Sequence, residues 1–130
     1  MSGAIILASK AALFSGAGLI NVLMLDPNSC HVDVSSPEIM IRGYEQSIVD
    51  LVKKISPNVI VIGPGMELNE QNNKLLNQTL LLDLPIVIDA GGLGLLAEHN
   101  DLIKLLKTRK NITILTPHPG EAAKLIKKTT

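Results

Sequence analysis

The sequence predicts an α/β fold in which a mostly parallel sheet is flanked by helices. Short aliphatic runs alternate with segments of helical spacing, separated by glycine and proline turns. Hydrophobic residues make up 46% of the chain but aromatics only 2%, so the core must be built from Leu, Ile, Val and Ala. Continuous aliphatic strands of that kind suit a parallel sheet buried on both faces. At 130 residues the chain has the size of one domain.

Taken in order, the first helix is expected from Gly3 to Ser15, with Ala4, Ala8, Ala11 and Ala12 as a small-residue face toward a sheet. Gly16-Ala17-Gly18 stops it, because glycine readily adopts the left-handed terminal conformation. Leu19 to Leu25 reads as a strand, and Asp26-Pro27-Asn28-Ser29 as a turn. A short extended piece follows around Ile39-Met40-Ile41. Tyr44 to Ile55 has helical spacing, with Ile48, Leu51, Val52 and Ile55 on one face. Then come a strand at Asn58 to Ile62, a helix at Asn69 to Leu82 and a strand at Pro85 to Asp89. Gly92 to Glu98 and Asp101 to Lys107 form one helix or two. Ile112 to Leu115 is the last strand and Pro119 to Lys128 the last helix. The alternation argues for right-handed βαβ units.

Charge and composition exclude several functions. Twelve basic residues balance twelve acidic ones, and one Phe, one Tyr and no Trp leave no platform for stacked bases. A nucleic-acid partner is therefore not expected. Cys30 is the sole cysteine, so neither an intrachain disulfide nor a thiolate metal cluster can form, which fits a reducing, cytoplasmic setting. The stretch from Gly3 to Leu25 is apolar, but Lys10, three glycines and Asn21 interrupt it, and no basic residue precedes it. It reads as buried helix, turn and strand rather than a signal peptide or membrane span.

Ligands of open α/β sheets bind beyond the carboxyl ends of the strands. Three such ends carry unusual residues. Gly63-Pro64-Gly65 follows VIVI, where glycine permits close backbone approach and exposed N–H groups can hold an anion. A plain strand-to-helix turn is the alternative. Asp89 follows PIVI and suits a metal-bound water, a ribose hydroxyl or a substrate proton, or else caps the next helix. Thr116-Pro117-His118-Pro119-Gly120-Glu121 follows ITIL. Its two prolines aim the imidazole of His118, while Glu121 in the first helical turn suits either function or capping. His31 and His99 read as solvated surface residues. Lys107, Arg109 and Lys110 read as a solvated helix end, as do Lys124, Lys127 and Lys128.

Together these segments resemble the ADP- or ATP-dependent NAD(P)H-hydrate dehydratase family, of ribokinase-like three-layer α/β/α fold. The matching text is SGAIILASKAALFSGAGL, PEIM, VIVIGPGM, PIVIDAGGLGLLA and ILTPHPGEAAKL, in that order and covering nearly the whole chain. The resemblance implies dehydration of hydrated NADH or NADPH, with ADP or ATP as phosphate donor and Mg2+ as its companion ion. It places Ala4, Gly65 and His118 against the hydrated dinucleotide, and Glu121 with the acid that helps organise magnesium and phosphate; Asp89 is a further metal or phosphate candidate from its strand-end position. No residue is identified as catalytic, and no protein metal site is assigned.

The text also departs from the family. Met1 falls within the glycine-rich loop that usually precedes the first helix, and Glu67 stands where glycine is usual. DAGGLG replaces DADALN, so Gly91 and Gly94 stand in place of an acid and an Asn. The GTGD anion hole with its catalytic acid is not among the 130 residues. Residues 1–130 are therefore expected to form an incomplete ribokinase-like domain, without the first strand and the GTGD half. Such a chain is expected to be inactive alone, and to form a homo-oligomer or pair with a missing second half. The alternatives are a ribokinase-like small-molecule kinase, such as a thiazole or pyrimidine kinase, or a non-catalytic remnant serving as a binding module. His118 argues against the kinase, since those enzymes more often carry Asn there.

Overall fold

A computed structural model describes residues 2–26, 28–29, 31–44 and 47–129, the side chains of 128 and 129 excepted. The chain divides into two compact units, Met1–Gln46 and Ser47–Thr130.

The first unit comprises α1 (Ser2–Phe14), β1 (Asn21–Met24) and β2 (Met40–Gly43). The strands pair in parallel, Asn21 opposite Met40 and Met24 opposite Gly43. Val22, Met24 and Ile39 form the core, with Ile5, Ile6, Leu13, Ile20 and Ile41 packed against it. The helix thus docks through its larger aliphatic residues, not the alanine face expected from the sequence. Its apolar residues run all the way round, and Phe14 on the outer side is 82% exposed. The Asp26–Ser29 turn closes by a bond from the Ser29 N–H to the Asp26 carbonyl, 3.1 Å, and the Asp26 side chain accepts from Asn28 N–H at 2.9 Å. Pro27 and Cys30 lie outside the described residues.

The second unit begins with α2 (Ile48–Ile55), capped by the Ser47 hydroxyl. It continues with β3 (Ile60–Ile62), α3 (Glu70–Leu80), β4 (Ile86–Ile88), α4 (Gly91–Glu98), α5 (Asn100–Thr108), β5 (Thr113–Leu115) and α6 (Pro119–Thr129). The sheet order is β3-β4-β5, every pair parallel, with Ile60, Ile86 and Thr113 in register. Long aliphatic residues from strands and helices meet in a dry core of Leu76, Leu80, Ile86, Ile88, Leu93, Leu95, Leu96 and Leu102. Burying one such side chain is worth about 1.5–3 kcal/mol.

Three expectations change. The helix predicted from Tyr44 begins at Ile48 among the described residues, because Ser47 supplies the cap; Glu45 and Gln46 lie outside them. The stretch 92–107 is two helices broken at His99, whose extended backbone ends α4 and starts α5. His99 is accordingly half-buried at that junction, whereas His31 is exposed as expected.

Arg109 is the third correction. It is not a solvated helix end but a half-buried clamp. Its guanidinium donates to the carbonyls of Leu80, Leu82 (2.9 Å) and Leu84 (2.6 Å), and Nε donates to Thr113 Oγ1 at 2.9 Å. The end of α3 leaves carbonyls without helical partners, and the planar fork of arginine gathers them. Burial holds the guanidinium below its ordinary pKa, partly offset by nearby Asp83. One side chain therefore joins the α3–β4 connection to β5.

Candidate functional site

The carboxyl ends of β3, β4 and β5 lie side by side, and all three sequence-predicted segments emerge there. After β3 the chain makes a turn in which Met66 N–H donates to Gly63 O at 3.0 Å. Pro64 sits at the second position and Gly65, with φ of 77°, at the third. That is the type II pattern, in which proline presets one dihedral and glycine takes the left-handed one. Asn69 then caps α3 through its side chain, accepting from Asn72 N–H at 2.9 Å.

After β4 a second turn runs from Asp89 to Gly92, closed by Gly92 N–H to Asp89 O at 3.0 Å. Asp89 is half-buried, and its contribution to the start of α4 is this main-chain carbonyl. The cap position itself is Ala90, which makes no side-chain cap bond and holds φ 45°, ψ −118°. Residues other than glycine rarely take positive φ, and such strain gathers where surrounding structure enforces it. Gly63 passes beside this turn so closely that a β-carbon on it would overlap the Asp89 carbonyl.

After β5, Thr116 N–H donates to Ile88 O at 3.2 Å and ties this segment to β4. His118 opens α6. Its Nδ1 accepts from Gly120 N–H at 3.0 Å, and its carbonyl accepts from Ala122 N–H. An accepting Nδ1 places the ring proton on Nε2, which lies 3.5 Å from Glu121 Oε1. Glu121 Oε2 accepts from the His118 main-chain N–H at 3.0 Å. Glu121 thus supplies the return half of a capping box, while the His118 ring caps the Gly120 N–H instead. The imidazole is thus held by Gly120 and Glu121, and 68% of the side chain remains exposed. Glu121 takes the capping role that the sequence left open.

Ala4 belongs to the first unit, near the start of α1, where it is half-buried. The same helix carries Lys10, whose Nζ lies 2.7 Å from Asp33 Oδ2 and donates to Ser35 Oγ at 2.6 Å. The Lys10 ammonium, with further bonds from Ser35, holds the Asp33 carboxyl below its ordinary pKa. Sequence reasoning missed this pair, though a lone lysine inside an apolar helix is the signal that could have found it.

Among the described residues no three His, Cys, Asp or Glu side chains converge as a metal site. Glu121 is engaged in its helix start through the His118 main-chain N–H. A cleft of about 340 Å3 lined by Val52, Ser56, Pro57, Leu82, Asp83 and Leu84 lies near the opposite ends of the strands. It contains none of the candidate residues. Among the described residues, no helix is long and apolar enough to cross a membrane.

Comparison with known proteins finds a family model and relatives that cover nearly the whole chain. The model of a carbohydrate-kinase-type family described as NAD(P)H-hydrate dehydratase matches residues 1–130. A bifunctional NAD(P)H-hydrate repair enzyme from Coxiella burnetii is 38% identical over 97% of this chain, which spans 24% of that protein. An ADP-dependent (S)-NAD(P)H-hydrate dehydratase from Lactiplantibacillus plantarum is 33% identical over 95% of this chain, which spans 44% of it. A ribokinase-like superfamily protein of known structure from Enterococcus faecalis superposes with a TM-score of 0.77 at 28% identity, covering 98% of this chain and 46% of that one.

Proposed function

The chain belongs to the NAD(P)H-hydrate dehydratase family, and from that premise we propose that it forms the dinucleotide-holding part of an enzyme that returns hydrated NADH or NADPH to the dihydronicotinamide form at the expense of ADP or ATP. The observation that carries this reading is the convergence of the Gly63–Met66, Asp89–Gly92 and Thr116–Glu121 segments on one sheet edge. Each lies in a stretch of text that resembles the family, with Gly91 and Gly92 departing from it.

The chemistry explains why a kinase-like fold would serve a dehydration. Water leaves saturated carbon poorly. Transfer of the nucleotide's terminal phosphoryl group to the ring hydroxyl makes an ester, and inorganic phosphate then departs as the ring loses a proton and regains its double bond. Phosphoryl transfer depends mostly on positioning and charge stabilisation. In this reading Ala4, Gly65 and His118 contact the hydrated dinucleotide. Glu121 fixes His118, and Asp89 stands toward the phosphates. The nucleotide brings Mg2+ as its own companion ion, and the groups that stabilise the transferring phosphoryl lie in the remaining length of such an enzyme, on this polypeptide or a second one.

The test is a chimera in which this chain replaces the corresponding part of the Lactiplantibacillus plantarum dehydratase. With ADP and magnesium it is expected to regenerate NADPH from its hydrate, read as absorbance at 340 nm. Binding without turnover would favour the binding-module alternative. Phosphorylation of a small alcohol in place of the hydrate would favour the kinase.

A further inference from the structure

The two turns at the ends of β3 and β4 interlock, and glycine makes that possible. A β-carbon on Gly91 would overlap the main-chain carbonyl of Met66, and one on Gly94 would stand 2.7 Å from Leu68 Cδ2. Both positions are within or at the start of α4, where glycine costs helix stability relative to alanine. Helix formation therefore does not explain them; the space they leave does. Met66 and Leu68 belong to the β3–α3 connection, directly after the type II turn that carries Gly65. Three of the positions at which the sequence departs from its family's usual text, Glu67, Gly91 and Gly94, lie on or beside this contact.

We propose that Gly91 and Gly94 are positioning residues for the Gly65 turn: lacking side chains, they let the Met66 carbonyl and Leu68 seat against α4, and that seating sets where Gly65 meets the dinucleotide. The second half of this statement rests on the function proposed above; the first does not. The two contacts differ in kind. Gly94 opposes the far end of a half-exposed, flexible side chain, so trimming that side chain can relieve a substitution. Gly91 opposes main chain, which no trimming relieves.

That difference supplies the experiment, made on the 130-residue chain labelled with 15N. In Gly94→Ala the Gly65 amide resonance is expected to shift, and affinity for hydrated NADPH to fall about tenfold, since small misplacements of binding groups are costly. Adding Leu68→Ala is expected to restore both. In that background Gly94→Ala should also raise the folding equilibrium constant about fourfold, the ordinary helical gain of alanine over glycine. Gly91→Ala should shift Gly65 without rescue by Leu68→Ala; if it does not fold, the Gly94 and Leu68 pair decides alone. A Gly65 resonance that stays in place in Gly94→Ala, or that moves but is not restored by Leu68→Ala, overturns the proposal. Failure of the unsubstituted chain to bind hydrated NADPH defeats the functional reading instead, and the Gly65 resonance with its rescue still decides the seating.

Discussion

Replacing Arg109 with Met tests how much of the second unit hangs on one side chain. The guanidinium serves the carbonyls of Leu80, Leu82 and Leu84 and the hydroxyl of Thr113. A hydrogen bond to a charged group is worth about 1.5–3 kcal/mol. Four such bonds would sum to far more than is expected, because Arg109 is only half-buried and water can reach part of what is vacated. Counting each carbonyl at about 1 kcal/mol, the lower end of the penalty for an unsatisfied group, gives a loss of about 3 kcal/mol. At roughly 4–8 °C per kcal/mol for a unit of this size, Tm falls by about 12–24 °C. Urea and thermal unfolding followed by circular dichroism measure it. Arg109→Lys should recover only a minor part, since one ammonium cannot fork to three carbonyls. Lys110→Met, at an exposed neighbour, should stay within about 0.5 kcal/mol. A loss that small in Arg109→Met as well would refute the clamp.

Ala90→Gly is expected to stabilise the chain by about 1 kcal/mol: relief of positive-φ strain is worth about 1–3 kcal/mol, and the extra freedom of glycine in the unfolded chain takes back about 0.5–1 kcal/mol. A lowered thermal midpoint would contradict it. Because Lys10 and Ser35 depress the folded pKa of Asp33, this carboxylate contributes stability above its unfolded pKa of about 3.9, and that contribution is lost as pH falls through the lower folded value. Urea midpoints measured from pH 6 down to pH 2 should therefore fall less steeply in Asp33→Asn than in the unsubstituted chain; parallel profiles would count against the pair. In the chimera, His118→Ala should lower kcat/KM about a hundredfold, while His99→Ala, at a helix junction away from the strand ends, should alter it little. Equal losses in the two would place the site elsewhere.

The parallel sheet was readable because its strands are aliphatic runs bounded by Gly63, Asp89 and Thr116, and that pattern has few other solutions. The clustering of the three candidate segments followed from the same rule, since parallel strands present their carboxyl ends together. What escaped was tertiary. Arg109 sits beside Lys107 and Lys110 in a sequence that reads as a solvated basic end, and only the fold brings three carbonyls to it. Positive φ at Ala90 is invisible in a residue type that ordinarily avoids it, and the close approach of Gly63 to the Asp89 turn joins two different strand ends. The start of α2 moved to Ile48 because local capping by Ser47 outweighed the apolar periodicity that seemed to extend from Tyr44. Gly91 and Gly94 were visible as departures, but their meaning lay in Met66 and Leu68.

Titrating the 15N-labelled chain with hydrated NADPH reads whether the carboxyl edge of β3, β4 and β5 holds a hydrated dinucleotide. Saturable amide shifts are expected, concentrated at Gly63–Met66, Asp89–Gly92 and Thr116–Glu121, with Ser56 and Leu82–Leu84 in the opposite cleft unmoved. Shifts confined to that opposite cleft, or no shifts at saturating ligand, would contradict binding at that edge.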